Sequence, residues 1–108
     1  SARQSTIAQV GSKPDSAEAY RRKQAEVRRH ARQRKASKAR IVELEQRINK
    51  HELIIRELEI EMAQPEFYDD KVSAQEKISQ HQHLMWKVGD LMNQWEALQE
   101  ETDETRDT

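Results

Sequence analysis

An alternating three-and-four spacing of apolar residues between residues 41 and 62 constrains this chain more than any other feature. The positions that keep this spacing, with His51 as the one polar member, are Ile41, Leu44, Ile48, Ile55, Leu58 and Met62. Such spacing keeps one narrow stripe of a helix facing a partner helix. We therefore predict a long helix whose apolar seam, formed by these residues, packs against a second helix.

A second stripe follows later in the chain and supplies the partner. Its members, spaced by four and three residues, are Leu84, Val88, Leu91, Trp95 and Leu98. Ser73 and Glu76 have the spacing of a capping box, with Asp69 and Asp70 as competing caps. The pattern predicts a second helix over residues 73–99.

The stretch between the two stripes contains the break that separates the helices. Pro65 has no amide hydrogen and disfavours a helical conformation of the residue before it, so the first helix should end at about residue 63. The turn then spans residues 64–72, and a connection this short places the helices antiparallel, with Leu44 facing Leu91. We expect Phe67 and Tyr68 to fold back over the open end of the seam.

Composition supports a thin fold rather than a layered one. Only 34% of the 108 residues are hydrophobic and 36% are charged, which is typical of exposed helices with one buried stripe. The predicted fold class is all-α. We expect a two-helix antiparallel coiled-coil hairpin over residues 41–99 and a basic N-terminal extension over residues 15–40. The termini, residues 1–14 and the acidic residues 100–108, are expected to be disordered. Cysteine and long apolar runs are absent, so we expect a cytoplasmic protein without disulfides or membrane spans.

A dense run of positive charge precedes the seam. Residues 21–40 carry ten Lys or Arg and one acid, whereas residues 41–108 carry seventeen Asp or Glu and seven Lys or Arg. Such a block indicates contact with polyanions; the alternative, a solvated helix face, usually mixes both signs. The expected phosphate-contacting residues are Arg21, Arg22, Lys23, Arg28, Arg29, Arg32, Arg34, Lys35, Lys38 and Arg40.

Few apolar residues accompany these cations, so we expect the basic segment, residues 15–40, to fray when free and to become ordered on a polyanion. Tyr20 and His30 either stack on exposed bases or, as the favoured alternative, cover a helix face.

Three other groups of residues are weaker candidates. His81 and His83, with His51, suggest a metal site, but residues two apart do not share a helix face. His51 and His81 at seam positions either make stability pH-sensitive or are neutral and partly exposed. The acidic residues of the turn favour helix capping over acid–base catalysis or cation binding. We therefore predict no metal and no enzymatic constellation.

Leu53, Ile60 and Trp86 fall on outer helix positions and suggest a different class of function. Either they form a docking face for another protein or a second copy, or they are scattered exposed apolar residues of the ordinary kind. A monomer is expected, with weak self-association as the alternative.

The turn and the end of the second helix resemble a known family. The segments "LEIEMAQPEFYDD" and "LMNQWEALQEE", which contain Pro65, Phe67, Tyr68 and Trp95, are similar to the C-terminal domain of bacterial ABC-F ATPases of the Uup-like kind. The resemblance covers about residues 20–100. It implies an accessory domain that follows two ATP-binding cassettes, in proteins that act on ribosomes and whose C-terminal hairpin is linked to DNA binding.

The resemblance also implies that ATP and Mg²⁺ are bound by the cassettes of the parent protein and that this domain has no cofactor of its own. The only glycines are Gly11 and Gly89, so no phosphate-binding loop of the G-x-x-x-x-G-K-[ST] type is present. The expected partners are DNA or ribosomal RNA and the cassettes of the same chain. The alternatives DNA, ribosomal RNA and tRNA are not separated by the sequence.

Overall fold

Two long helices and a short turn make up the chain. The computed structural model assigns secondary structure to residues 2–107 and describes side chains for residues 15–104. Helix α1 runs Ala2–Met62, a short 3-10 helix runs Phe67–Asp69, and helix α2 runs Lys71–Asp107. The chain divides into two compact units, Ser1–Ala36 and Ser37–Thr108.

The second unit is the predicted hairpin. One apolar cluster joins α1 and α2, with Ile54, Met62, Trp95 and Leu98 partly buried against it; its buried members are Leu44, Ile48, Ile55, Leu58, Leu84, Val88 and Leu91. Leu44 and Leu91 are 0% and 3% exposed. The all-α, two-helix fold is thereby confirmed, and the three-and-four spacing identified its buried residues.

Two positions of the interface differ from the simple stripe. His51 is only half-buried although it occupies a seam position. Ala74 is 3% exposed, although its small side chain gave no signal in the pattern. It lies in the first turn of α2, next to the connection.

The turn is built from short-range backbone hydrogen bonds. The amides of Gln64 and Phe67 donate to the carbonyl oxygens of Glu61 and Gln64, both at 3.1 Å. Pro65 lies between them and contributes no donor. These bonds tighten the chain directly after α1 and lead it into the 3-10 helix.

Asp70, rather than Ser73, caps the second helix. The amide of Ser73 donates to Asp70 Oδ1 at 3.2 Å, and the amide of Ala74 donates to the Asp70 carbonyl at 2.9 Å. Ser73 is therefore the third residue of the helix, and the predicted start at residue 73 is replaced by Lys71. A carboxylate satisfies the free amides of a helix start and suits the helix dipole there.

The predicted covering of the seam by both turn aromatics is wrong for Tyr68, which is 64% exposed. Phe67 is half-buried, and the two rings meet edge to face at a centroid distance of 4.9 Å and an angle of 85°. Tyr68 therefore packs on Phe67 and does not cover the seam.

Polar pairs across the two helices agree with the antiparallel register. His81 Nε2 lies 3.0 Å from Glu59 Oε1, and Lys77 forms an ion pair with Glu61. Both pairs lie near the turn and are partly exposed, so each contributes a fraction of a kcal/mol rather than holding the fold, about 0–1 kcal/mol for pairs of this kind.

The end of the second helix also differs from the prediction. Residues 100–104, expected to begin a disordered tail, are helical, and the Thr102 hydroxyl donates to the Leu98 carbonyl at 2.7 Å. No glycine or proline follows Gly89 to end the helix. The predicted disorder of residues 1–14 and 105–108 concerns residues outside those described with side chains and stays a prediction.

Replacing Leu44 by Ala should lower the free energy of unfolding by about 3 kcal/mol, because a fully buried leucine leaves a cavity. Leu53→Ala is the matched control, since Leu53 is 56% exposed on the same helix and the change in helix propensity from Leu to Ala is the same. It should change stability by less than about 0.5 kcal/mol. Urea unfolding followed by circular dichroism measures both, and equal effects would contradict the assigned seam.

Candidate nucleic-acid interface

Eight of the ten predicted phosphate-contacting residues lie in the first unit, on α1. All eight are exposed, and of residues 15–36 only Gln24 is partly buried. None of the eight takes part in an ion pair among the residues described. Their charge is therefore available to a partner instead of being neutralised within the described structure.

Helical geometry sorts these cations by side. Residues spaced seven, four and three apart share one side of a helix, which groups Arg21 with Arg28, Arg32 and Lys35. Arg22 and Arg29 flank this group. The cationic face comprises Arg21, Arg22, Arg28, Arg29, Arg32 and Lys35. Lys23 and Arg34 lie on the opposite side of the helix.

Lys38 and Arg40 lie in the second unit and have different surroundings. Lys38 is exposed, whereas Arg40 is half-buried. Arg40 donates to Glu43 Oε1 at 2.9 Å and to Gln94 Oε1 at 3.3 Å. The Arg40 guanidinium thus bridges the two helices of the hairpin, and it would have to give up these bonds to reach a phosphate.

The hairpin carries a further group of cations that the charge run did not reveal. Arg47 and Lys50 on α1 and Lys87 on α2 are close enough to His51 to act on its charge. Arg47 and Lys87 occupy positions that flank the seam, so the heptad pattern itself is the signal that could have brought them together across the two helices.

The pKa of His51 is affected by this positive environment. Partial burial is the largest cause that lowers the pKa of His51 below its ordinary 6.5, because a charged imidazole loses hydration there. The charges of Lys87, Arg47 and Lys50, and then His83, lower the pKa further. The buried Nδ1 of His51 has no hydrogen-bond partner in the structure. His51 is thus a neutral member of the seam.

The histidines and the turn carboxylates do not converge on a metal. His81 is paired with Glu59, and His83 is exposed. Among the residues described, no group of three His, Cys, Asp or Glu side chains is arranged to hold a metal ion. Asp70 is engaged in helix capping, as expected for the acidic turn.

Fold and surface define the class of protein: a narrow helical hairpin whose described residues include a strongly cationic helix. Residues 32–100 match the family model described as the ABC transporter C-terminal domain. Since the match covers more than half of the chain, the protein belongs to this family and is an accessory domain of an ABC protein. Searches of curated proteins and of solved structures find no match.

The family match has a boundary that matters for the interface. It includes Arg32, Arg34, Lys35, Lys38 and Arg40 but not the five cations that precede them. In the described part of the chain, neither helix combines the length and hydrophobicity that crossing a bilayer requires.

The hairpin should lose stability as pH falls below about 6.5. The folded-state pKa of His51 is lower than the unfolded-state value, so the unfolded chain binds more protons between the two pKa values and stability rises with pH through that window. The test compares urea unfolding of the wild type and His51→Gln from pH 5 to 8.

As pH decreases, the free energy of unfolding of the wild type should fall relative to that of His51→Gln. This difference should level off below the folded-state pKa of His51. His30→Gln, at an exposed position of the first unit, serves as the control for loss of a histidine outside the seam. A pH-independent difference for His51→Gln would show that His51 protonates equally in both states.

Proposed function

We propose that this domain binds nucleic acid through the cationic face of α1 and serves as the nucleic-acid-contacting accessory domain of a soluble ABC-F-type ATPase. The observation that carries the proposal is the set of six exposed Lys and Arg side chains on one side of a helix, without ion pairs among the described residues. A concentration of one sign of charge with no internal partner favours a polyanion.

The chemistry of this face suits phosphates better than bases. Arginine presents planar pairs of N–H donors to phosphate oxygens, and such contacts give affinity without reading sequence. From residue 21 to residue 35 the helix rises roughly 21 Å at about 1.5 Å per residue, a length that follows several consecutive phosphates.

Base stacking is a poorer fit. Tyr20 is 65% exposed, but it and His30 lie away from the centre of the cationic face. A base stacked on either ring would lie apart from the phosphates that the arginines hold. Binding is therefore weakly sequence-specific, and DNA, ribosomal RNA and tRNA, which share the phosphate backbone, are all candidate targets. ATP and Mg²⁺ would be handled by cassettes of the parent protein, which would act in the cytoplasm on ribosomes.

A second candidate function is docking on another part of the parent protein. Leu53, Ile60 and Trp86 are 56%, 64% and 68% exposed. Leu53 and Ile60 are seven residues apart and share one side of α1. Tryptophan is enriched among the residues that contribute most to protein interfaces, which supports docking on a protein; the proposed partners are the ATPase cassettes or a ribosomal protein.

Replacing Arg28, Arg29 and Arg32 by Gln should weaken binding to duplex DNA and reduce its salt dependence. Each lost phosphate contact removes about 0.9 from the slope of log affinity against log salt, so the slope should fall by nearly 3 for three contacts. Fluorescence anisotropy titrations from low to high salt measure the slope, with duplex DNA, single strands and structured RNA in parallel.

A matched variant removes the same charge from the hairpin. Lys50, Arg56 and Lys71 are exposed, and replacing them by Gln changes the net charge equally. If binding depends on the cationic face, this control should retain most of the wild-type slope. Equal losses in both variants, or affinity independent of salt, would refute the proposed interface.

Trp86→Ala should weaken binding to the separately purified ATPase cassettes of the parent protein by at least tenfold and leave nucleic-acid affinity unchanged. The expected loss corresponds to about 1.4 kcal/mol, a modest value for an interface tryptophan. Isothermal titration calorimetry measures both interactions. Cassette binding unaffected by Trp86→Ala, Leu53→Ala and Ile60→Ala would exclude docking through these residues.

A further inference from the structure

A groove with an apolar floor and an acidic rim lies along one edge of the hairpin. Its volume is about 320 Å³. Ile48, Met92 and Trp95 supply the apolar surface, while Glu45, Glu52 and Glu96 supply the carboxylates. A volume near the lower limit of the roughly 300–1,000 Å³ typical of ligand sites suits a few side chains rather than a large cofactor.

The carboxylates of this acidic groove are not neutralised within the hairpin. None of the three takes part in an ion pair among the residues described. Met92 is 41% exposed at the same place, so apolar surface and uncompensated negative charge are adjacent. An occupant that matches both features carries an apolar side chain between cationic ones, and a nucleic acid is excluded by its charge.

The chain itself has a surface of this composition. Lys23, Val27 and Arg34 are spaced four and seven residues apart and share one side of α1, opposite to the cationic face. All three are exposed, and Val27 is 55% exposed. This Val27 face, unlike the cationic face, presents an apolar side chain between two cations.

We infer that the acidic groove of one copy binds the Val27 face of a second copy. Val27 contacts the surface formed by Met92 and Trp95, and the two cations pair with the glutamates of the rim. Aromatic surface adds an attraction for Lys and Arg beyond the ion pairs. Each copy carries both surfaces, so this contact links copies of the chain to one another. The inference is independent of nucleic-acid binding, which uses the other side of the helix.

Self-association of the nuclease-treated protein provides the first test. Sedimentation equilibrium of the full chain at low salt should show concentration-dependent association that decreases at high salt, because about 1 M salt screens charges beyond roughly 3 Å. Glu45→Gln/Glu52→Gln/Glu96→Gln should abolish it. The matched control is Glu57→Gln/Glu76→Gln/Glu100→Gln, at exposed positions outside the groove, and it should associate like the wild type.

A charge exchange between the two surfaces gives the decisive test. Lys23→Glu/Arg34→Glu and Glu45→Lys/Glu52→Lys should each be monomeric, because each places like charges on both surfaces. A mixture of the two variants should associate again, since each surface then meets its opposite charge. Circular dichroism verifies that both variants are folded.

Two results would overturn the inference. One is a wild-type chain that stays monomeric at low salt up to its solubility limit. The other is a mixture of folded charge-exchange variants that does not associate. Neither result bears on the nucleic-acid titrations, whose variants alter Arg28, Arg29 and Arg32 instead.

Discussion

Burial of Leu44 and Leu91 in one apolar cluster is the interaction on which the rest of the hairpin depends. The hairpin has a single interface, and the buried residues of the described chain are all apolar. Among the residues described with side chains, no second buried layer compensates for a gap in this seam. A two-helix protein of this kind therefore tolerates little change along its seam and nearly any polar residue elsewhere, because only one narrow stripe of each helix leaves water.

This narrow core explains how charge is distributed over the hairpin. Arg47 and Lys87 flank the seam on one edge and lower the pKa of His51, whereas Glu45 and Glu52 lie in the groove with Met92. Residues that flank a coiled-coil seam are close to the partner helix yet still hydrated. A charged side chain at these flanking positions loses little hydration. The two edges of one small domain can therefore carry charges of opposite sign without disturbing the core.

The heptad spacing predicted the hairpin because the buried positions of a paired helix recur every three or four residues and are occupied by apolar side chains. Residues at the turn were harder: Asp70 and Ser73 are both good caps, and the choice depends on where the backbone leaves the 3-10 helix. Tyr68 was misassigned because its hydrophobicity suggests burial, while its position depends on packing against Phe67. The acidic groove could not be predicted, since it exists only when residues of two helices are placed side by side.

In the basic segment, the helix distributes one linear run of positive charge over two different surfaces. In the linear sequence, residues 21–40 contain ten Lys or Arg, five of which lie outside the family match. On the helix, Arg28 and Arg32 belong to one side and Lys23 and Arg34 to the other. One side then carries six cations, whereas Val27 gives the opposite side an apolar centre. Because the two surfaces do not overlap, a copy held by its Val27 face would still present its arginines to nucleic acid, and pairing of copies would bring two cationic faces into one assembly.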